Sequence, residues 1–387
     1  MRIAFDGTTL RPGRTGVGYY TEHLLRHLAK REPDDGITVV SNRAVDTTEP
    51  LPSNMKVAVS PWNLPRMVWM QTQAPRLVSA IGAQVAHFTN GMVPLVSSVP
   101  AVVTIHDMSL TMYPRTHPAR RVLLNRPLVD LAARRAAAII TVSQSAKADI
   151  VRLYRIDPDR VHVVHEAAAP EFKPLVDIRA LDRVRTRYQL ADRFILHVGT
   201  IEPRKNLVRL IEAFAERRRR GALSHQLVCV GPYGWLSKDI EVLIERLQVA
   251  DAIRFTGYVP FEDLPAIYNL AEMLVFPSIY EGFGLPVIEA MACGTPVLTG
   301  RLAVADEVGG QAVEQVQHLD PFALGVAMVR LSEDSPRRNA LRTAGLERAR
   351  TFSWDRAAQE TLGVYASALA NARVSTRVSA ALQSRPR

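Results

Sequence analysis

Cysteine is scarce in this chain of 387 residues: only Cys229, in an apolar strand-like run, and Cys293, in Met291-Ala292-Cys293-Gly294, occur. Neither has metal-ligand or redox spacing, so a disulfide framework and a thiolate metal site are excluded, and both read as buried thiols of a reducing compartment. No His/Cys cluster appears, and no internal repeat of solenoid period. The start Met1-Arg2-Ile3-Ala4-Phe5-Asp6 lacks a signal-peptide pattern and reads as a first strand, so the expected location is the cytoplasm. Leu77 to Ile105 has no Asp, Glu, Lys or Arg and is long enough to cross a bilayer. Gly82, His87, Asn90, Gly91, Pro94 and Pro100 interrupt it, dividing it into a helix end, two short strands and a loop.

What is present suits a two-lobed globular protein. The length exceeds one ordinary core, and with 47% hydrophobic and 22% charged residues the chain can bury two. A net charge of +10 favours anionic partners without choosing among nucleotides, nucleic acid and an acidic membrane face. The run Arg217-Arg218-Arg219-Arg220 before Gly221 closes a helix, where cations suit the dipole.

β-rich runs at Arg2–Asp6, Ile37–Ser41, Val57–Val59, Val85–Phe88, Val102–Ile105 and Ala138–Val142 alternate with helical spacing at Tyr19–Lys30, Arg66–Ala80, Arg120–Arg135 and Gln144–Leu153. The pattern restarts after residue 192, with strands at Phe194–Val198, Leu227–Val230, Ile253–Phe255, Met273–Phe276 and Pro296–Leu298. The predicted fold class is α/β, two Rossmann-like parallel-sheet lobes facing each other across a cleft. The boundaries are an N-terminal domain over 1–168, a linker over 169–192 and a C-terminal domain over 193–352. A C-terminal helix over 353–370 is expected to pack back on the first domain, and 371–387 to be a frayed tail.

Ligands of such sheets sit at the carboxyl ends of strands. After Met273–Phe276 come Pro277 and Ser278, then Glu281-Gly282-Phe283-Gly284-Leu285 opening a helix pattern, so free N–H groups and glycines meet where a diphosphate could bind. Glu281 in the loop and Glu289 in the helix cannot read the same atoms; each could accept hydroxyls on one side of that diphosphate. Another strand ends His197-Val198-Gly199-Thr200 before Arg204-Lys205-Asn206, placing two cations where charge would grow on a leaving diphosphate.

With these residues the chain resembles the retaining glycosyltransferases of family 4, which have the two-lobed GT-B fold. The resemblance covers nearly the whole chain. It rests on Glu281 and Glu289 eight residues apart, the first opening Glu-Gly-Phe-Gly-Leu-Pro, on Gly199 with Arg204-Lys205-Asn206, and on Phe255-Thr256-Gly257-Tyr258-Val259 before a helix. It implies that Arg204 and Lys205 contact the diphosphate, Glu289 the ribose and Glu281 the transferred sugar, with the backbone at Phe283, Gly284 and Leu285 near both. Tyr258 and Val259 fall where the family holds the nucleobase. Gly16 and Gly18, in Gly13-Arg14-Thr15-Gly16-Val17-Gly18, fall on the family's glycine-rich loop, although the dinucleotide spacing is not met. His106, at the end of Val102–Ile105, falls where family members often place a histidine beside the sugar; Asp107 carries less weight. Arg204, Lys205, Glu281 and His106 are thus the catalytic candidates, and no metal or other cofactor is expected.

Trp62, Trp69 and Met70 suit either an acceptor platform or packing, and packing is the better reading. His165-Glu166 replaces the Asn-Gly that many family members carry, which bears on the turn and is expected to leave the chemistry alone. Val103-Thr104-Ile105-His106-Asp107-Met108-Ser109-Leu110 with Tyr113-Pro114 looks most like bacterial mannosyltransferases that use GDP-mannose in surface-polysaccharide assembly. The expected partners are therefore a nucleotide-sugar donor, a glycan or lipid-linked glycan acceptor and, at the inner face of the cytoplasmic membrane, an anionic surface, but not nucleic acid. The alternatives are a UDP-sugar-dependent transferase of the same family, a nucleotide-sugar epimerase, a non-catalytic binding subunit, or a glycoside hydrolase using the two carboxylates.

Overall fold

The computed structural model describes residues 1–31, 36–235, 238–317 and 320–383. Two parallel sheets form it. The first holds β1 (Ile3–Asp6), β2 (Ile37–Ser41), β3 (Met55–Val59), β4 (Val85–Phe88), β5 (Ala101–Ile105), β6 (Ala138–Thr141) and β7 (Val161–Val163), in the order β3-β2-β1-β4-β5-β6-β7. The second holds β8 (Phe194–Val198), β9 (Gln226–Val230), β10 (Ile253–Gly257), β11 (Met273–Phe276), β12 (Val297–Gly300) and β13 (Glu314–Val316), in the order β10-β9-β8-β11-β12-β13. Central strands are buried along their whole length, as a sheet covered by helices on both faces requires. The strand order reverses direction between β1 and β4 in one sheet and between β8 and β11 in the other, which marks the crevice of each.

The chain divides into two compact units. One comprises residues 1–108, 123–166 and 353–387, and the other 109–122 and 167–352. Residues 109–122, expected in the first domain, therefore pack with the second: the Trp235 indole N–H donates to the Thr116 carbonyl at 2.8 Å, and the Arg121 guanidinium lies 4.5 Å from the centre of the Trp235 ring.

Four expectations need correction. The single helix over Arg66–Ala80 is two, Arg66–Thr72 and Ala74–Ala80, because Pro75 has no N–H to continue the ladder. The linker contains a helix, Ile178–Tyr188, capped by Asp177 on the Ala180 N–H at 3.1 Å and closed by Gln189 at φ 55°; only Val184 and Tyr188 of it are buried. β13 was absent from the sequence reading, being three residues long with Glu314 and Gln315 among them. The last helix runs from Trp354 to Gln383, past the expected end at 370, and residues 384–387 lie outside the described ones. Trp354, Ala357, Ala358, Val364, Tyr365 and Ala368 bury this helix within the first unit. Among the described residues no helix is long and apolar enough to cross a membrane.

Candidate active site

In the second unit the ends of three neighbouring strands are stitched by glycines. The Gly199 N–H donates to the Val230 carbonyl and the Gly231 N–H to the Gly257 carbonyl, both at 2.9 Å. A Cβ on Gly231 would stand 2.2 Å from the Gly199 carbonyl oxygen, so only glycine permits that approach. Gly199, at φ 151°, leaves room on its other side for the stem of Lys205.

The chain then makes a turn of 3₁₀ helix, Pro203–Lys205, that aims both cations toward the end of β11. Arg204 Nη1 donates to Glu281 Oε2 at 2.9 Å and to the Tyr280 carbonyl at 2.8 Å, while its Nη2 donates to Glu202 Oε1 at 2.8 Å. Lys205 Nζ donates to Glu281 Oε1 at 2.7 Å and lies 5.1 Å from the centre of the Phe276 ring. The Ile279 N–H closes the loop onto the Arg204 carbonyl at 2.9 Å. Burial alone would raise the Glu281 carboxyl, but the Arg204 and Lys205 cations overcome it and hold it at about 2. Two cations and two carboxylates thus form a neutral, buried cluster at the reversal point of the sheet.

Behind it, burial brings His197 down to about 4, keeping the ring neutral; its Nδ1–H donates to the Val275 carbonyl at 3.1 Å across β8 and β11. Sequence reading missed Glu202, Gly231 and His197, although each lies at or beside a strand end and could have been found by that rule.

Gly284, at φ 98°, caps the helix Leu285–Cys293, with Leu285 its first residue. Glu289 projects from that helix and accepts from the Tyr268 hydroxyl at 2.7 Å; Tyr268 is fully buried, and burial with the nearby carboxylate pushes its hydroxyl up. Tyr268 is a further residue that sequence reading missed. The Phe283 ring is buried edge-on against Phe352. Val259 is buried and Tyr258 half exposed, just past the edge strand β10, two strands and about 10 Å from β8.

Four expected residues, Gly199, Arg204, Lys205 and Glu281, are therefore brought into one cluster. Glu289 sits on the adjoining helix, whereas Tyr258 and Val259 belong to the sheet edge.

In the first unit, Gly16 opens the helix Gly16–Arg31 and is exposed. Gly18 is buried, and a Cβ there would stand 2.7 Å from Arg14 Cβ and 3.0 Å from the Thr9 carbonyl, so it seats the preceding loop against the helix. His106 follows β5; Nε2 is 3.0 Å from the Thr89 carbonyl and Nδ1 is 3.4 Å from Glu166 Oε1. Trp69 and Met70 are fully buried and pack the core, whereas Trp62 is 61% exposed. Among the described residues no three His, Cys, Asp or Glu side chains gather as metal ligands. An Asp-x-Asp triplet, Asp157-Pro158-Asp159, is used as a turn, the Asp157 carboxylate accepting from the Asp159 N–H at 2.9 Å.

Two parallel α/β units, one with a cation-rich phosphate-type loop at its strand reversal, make up the GT-B architecture of glycosyltransferases. Glycosyl transferases group 1 matches residues 179–348, and Glycosyltransferase Family 4 matches residues 14–172. The chain belongs to the family 4 glycosyltransferases.

It is 29% identical to the O-antigen chain mannosyltransferase B of Escherichia coli over 381 residues, covering 94% of this chain and 99% of that protein. It is 35% identical to the D-inositol 3-phosphate glycosyltransferase of Salinispora tropica over 304 residues, which are 74% of this chain and 61% of that longer protein. Among solved structures it superposes on Anabaena HepE in complex with UDP and glucose with a TM-score of 0.74 and 20% identity, covering 95% of this chain and all of that one.

Proposed function

We propose that this glycosyltransferase moves mannose from GDP-mannose, with retention, to a hydroxyl of a glycan or lipid-linked glycan in polysaccharide assembly. The observation that carries the reading is the buried Arg204–Lys205–Glu281 cluster beside the helix start at Gly284. The near full-length similarity to an O-antigen mannosyltransferase supports the choice of sugar.

In the proposed reaction the acceptor oxygen bonds to the anomeric carbon as the bond from that carbon to the diphosphate breaks. The acceptor proton passes to the departing phosphate on the same face. Arg204, Lys205 and the N–H groups at Leu285 meet the charge that grows on that phosphate, so no metal is assigned. Glu281, which both cations hold ionised, is the acceptor for sugar hydroxyls, and Glu289, oriented by Tyr268, the acceptor for ribose hydroxyls. Tyr258 and Val259 are assigned to the base, and Gly16, Gly18 and His106 to the donor or acceptor from the first unit.

A net charge of +10 and apolar side chains left in water support peripheral contact with an anionic membrane at the cytoplasmic face. Val96 and Leu123 are about three-quarters exposed, and Trp62 and Val68 are also open to solvent.

A panel of nucleotide sugars, incubated with a mannan or polyprenyl-linked acceptor, tests the proposal. The expected result is release of GDP from GDP-mannose in proportion to a new alkali-stable glycoside, with no turnover of UDP-sugars. Turnover of a UDP-sugar alone would replace the donor, and epimerised sugar without nucleotide release would replace the reaction.

A further inference from the structure

His106 is gripped on three sides by the first unit. The Thr89 carbonyl, just past β4, accepts from Nε2; Glu166, in the loop after β7, meets Nδ1; and the Tyr20 ring of the helix Gly16–Arg31 stands perpendicular to the imidazole, centroids 4.6 Å apart. Glu166 is 4% exposed, so its carboxylate is buried toward this one partner rather than left in water. The Thr89 carbonyl can only accept, so Nε2 carries a proton, and the ring is held between that bond and the Glu166 carboxylate.

Tyr20 is itself anchored from behind. Its hydroxyl is 3.0 Å from Thr104 Oγ1, which is 2.7 Å from His87 Nε2, and His87 Nδ1 is 2.6 Å from the Tyr365 hydroxyl of the C-terminal helix. All four side chains are at most 1% exposed. Burial brings His87 down to about 3, so its ring is neutral, with one nitrogen donating and the other accepting between Tyr365 and Thr104. Tyr20 also packs against Trp354, 6.0 Å between ring centres, at the start of the same helix.

We propose that Glu166 is a positioning residue for His106, and that the buried chain Tyr365–His87–Thr104–Tyr20 braces the opposite side of the same ring. His106 then acts from a fixed place, and the C-terminal helix is a working part of its support. The replacement of Asn-Gly by His165-Glu166 is accordingly not confined to the turn: neither residue has a positive φ, and the carboxylate it introduces is spent on His106. The inference rests on the transferase reading only for what His106 stands beside; its spectroscopic arm is independent of that reading.

The test uses full-length protein with ¹⁵N-labelled histidine and the variants Glu166→Ala, Glu166→Gln and Tyr365→Phe, with His106 assigned through His106→Ala. Glu166→Ala is expected to move the His106 Nδ1 resonance while Nε2 stays in place, and to lower kcat roughly 10- to 100-fold with donor KM within about twofold. Glu166→Gln, which keeps an acceptor oxygen, is expected to recover most of that loss. Tyr365→Phe is expected to lower kcat several-fold while leaving Tm within a few degrees. In the His106→Ala background neither Glu166→Ala nor Tyr365→Phe is expected to lower kcat further, which a purely structural role would not produce.

An unmoved Nδ1 resonance in Glu166→Ala would overturn the proposal, as would additive losses in the His106→Ala background. Absence of transfer by the wild type would instead remove the proposed function and leave the resonance to decide the positioning.

Discussion

Glu281 joins stability and chemistry at a single carboxylate. Its pKa is depressed from 4.5 to about 2, so its contribution to folding is complete above about pH 4.5 and is lost as the pH falls through about 2. The difference corresponds to about 3 kcal/mol at neutral pH, the order expected when a buried ion pair loses one partner. Glu281→Gln should therefore lower the urea midpoint at pH 7 and leave a flatter acid limb between pH 5 and 2, measured by denaturant titration at each pH; an unchanged limb would assign the acid sensitivity elsewhere. Within the same cluster Arg204 and Lys205 already hold Glu202 and Glu281. Tyr268 matters at the same scale because its one hydrogen bond orients Glu289. Tyr268→Phe keeps the ring and removes only that bond, so affinity for free GDP should weaken by roughly 10- to 150-fold, given about 1.5–3 kcal/mol for a hydrogen bond to a charged group. Calorimetry showing unchanged GDP affinity would take Glu289 out of the ribose assignment.

At the level of elements, the approach of β8 to β9 is what brings the cation turn to the reversal point of the sheet. Gly231→Ala places a methyl group 2.2 Å from the Gly199 carbonyl at a φ of 138°, where backbone rather than a side-chain tip must move. The strand ends should splay, costing about 3 kcal/mol or more and lowering Tm by several degrees, with donor binding lost in whatever protein still folds. A Gly231→Ala protein with normal Tm and normal GDP affinity would show that the approach is not required. These strands were legible in the sequence because each is a short apolar run followed by glycine or proline. The motif residues Gly199, Arg204, Lys205 and Glu281 were legible because they follow strand ends. The helix Ile178–Tyr188 was not, since only Val184 and Tyr188 face a core and six of its other residues are charged or hydroxyl-bearing. Nor was Glu166 or Tyr268: what each does depends on a residue far away in the chain, His106 for one and Glu289 for the other, and no local spacing reports such a meeting.

Across the whole molecule the charge is unevenly spread. Residues 60–135 hold eight arginines and no lysine against Asp107 and Asp130, a net +6 out of the chain's +10 in about a fifth of its length. Within the first unit, Gln71 hydrogen-bonds both the Val93 carbonyl and the Leu95 N–H, and Arg135 reaches the Leu95 carbonyl, so the loop bearing Val96 joins the helix Arg66–Thr72 to the end of the helix Ala119–Arg135. Four apolar side chains of the first unit, Trp62, Val68, Val96 and Leu123, remain in water. Cations are drawn to anionic headgroups at about 1 kcal/mol each near the surface, and apolar side chains that enter the headgroup layer add to that attraction. Vesicles of 30% phosphatidylserine should therefore sediment the full-length protein at about 50 mM salt and release most of it at about 500 mM, where the Debye length falls to a few ångströms. Val96→Ser with Leu123→Ser should raise the lipid concentration for half-binding roughly tenfold while leaving GDP affinity unchanged, because the two substitutions delete apolar contact and no charge. Neutral vesicles that bind equally well would show that charge plays no part, and equal binding by the double variant would show that these side chains do not enter the lipid.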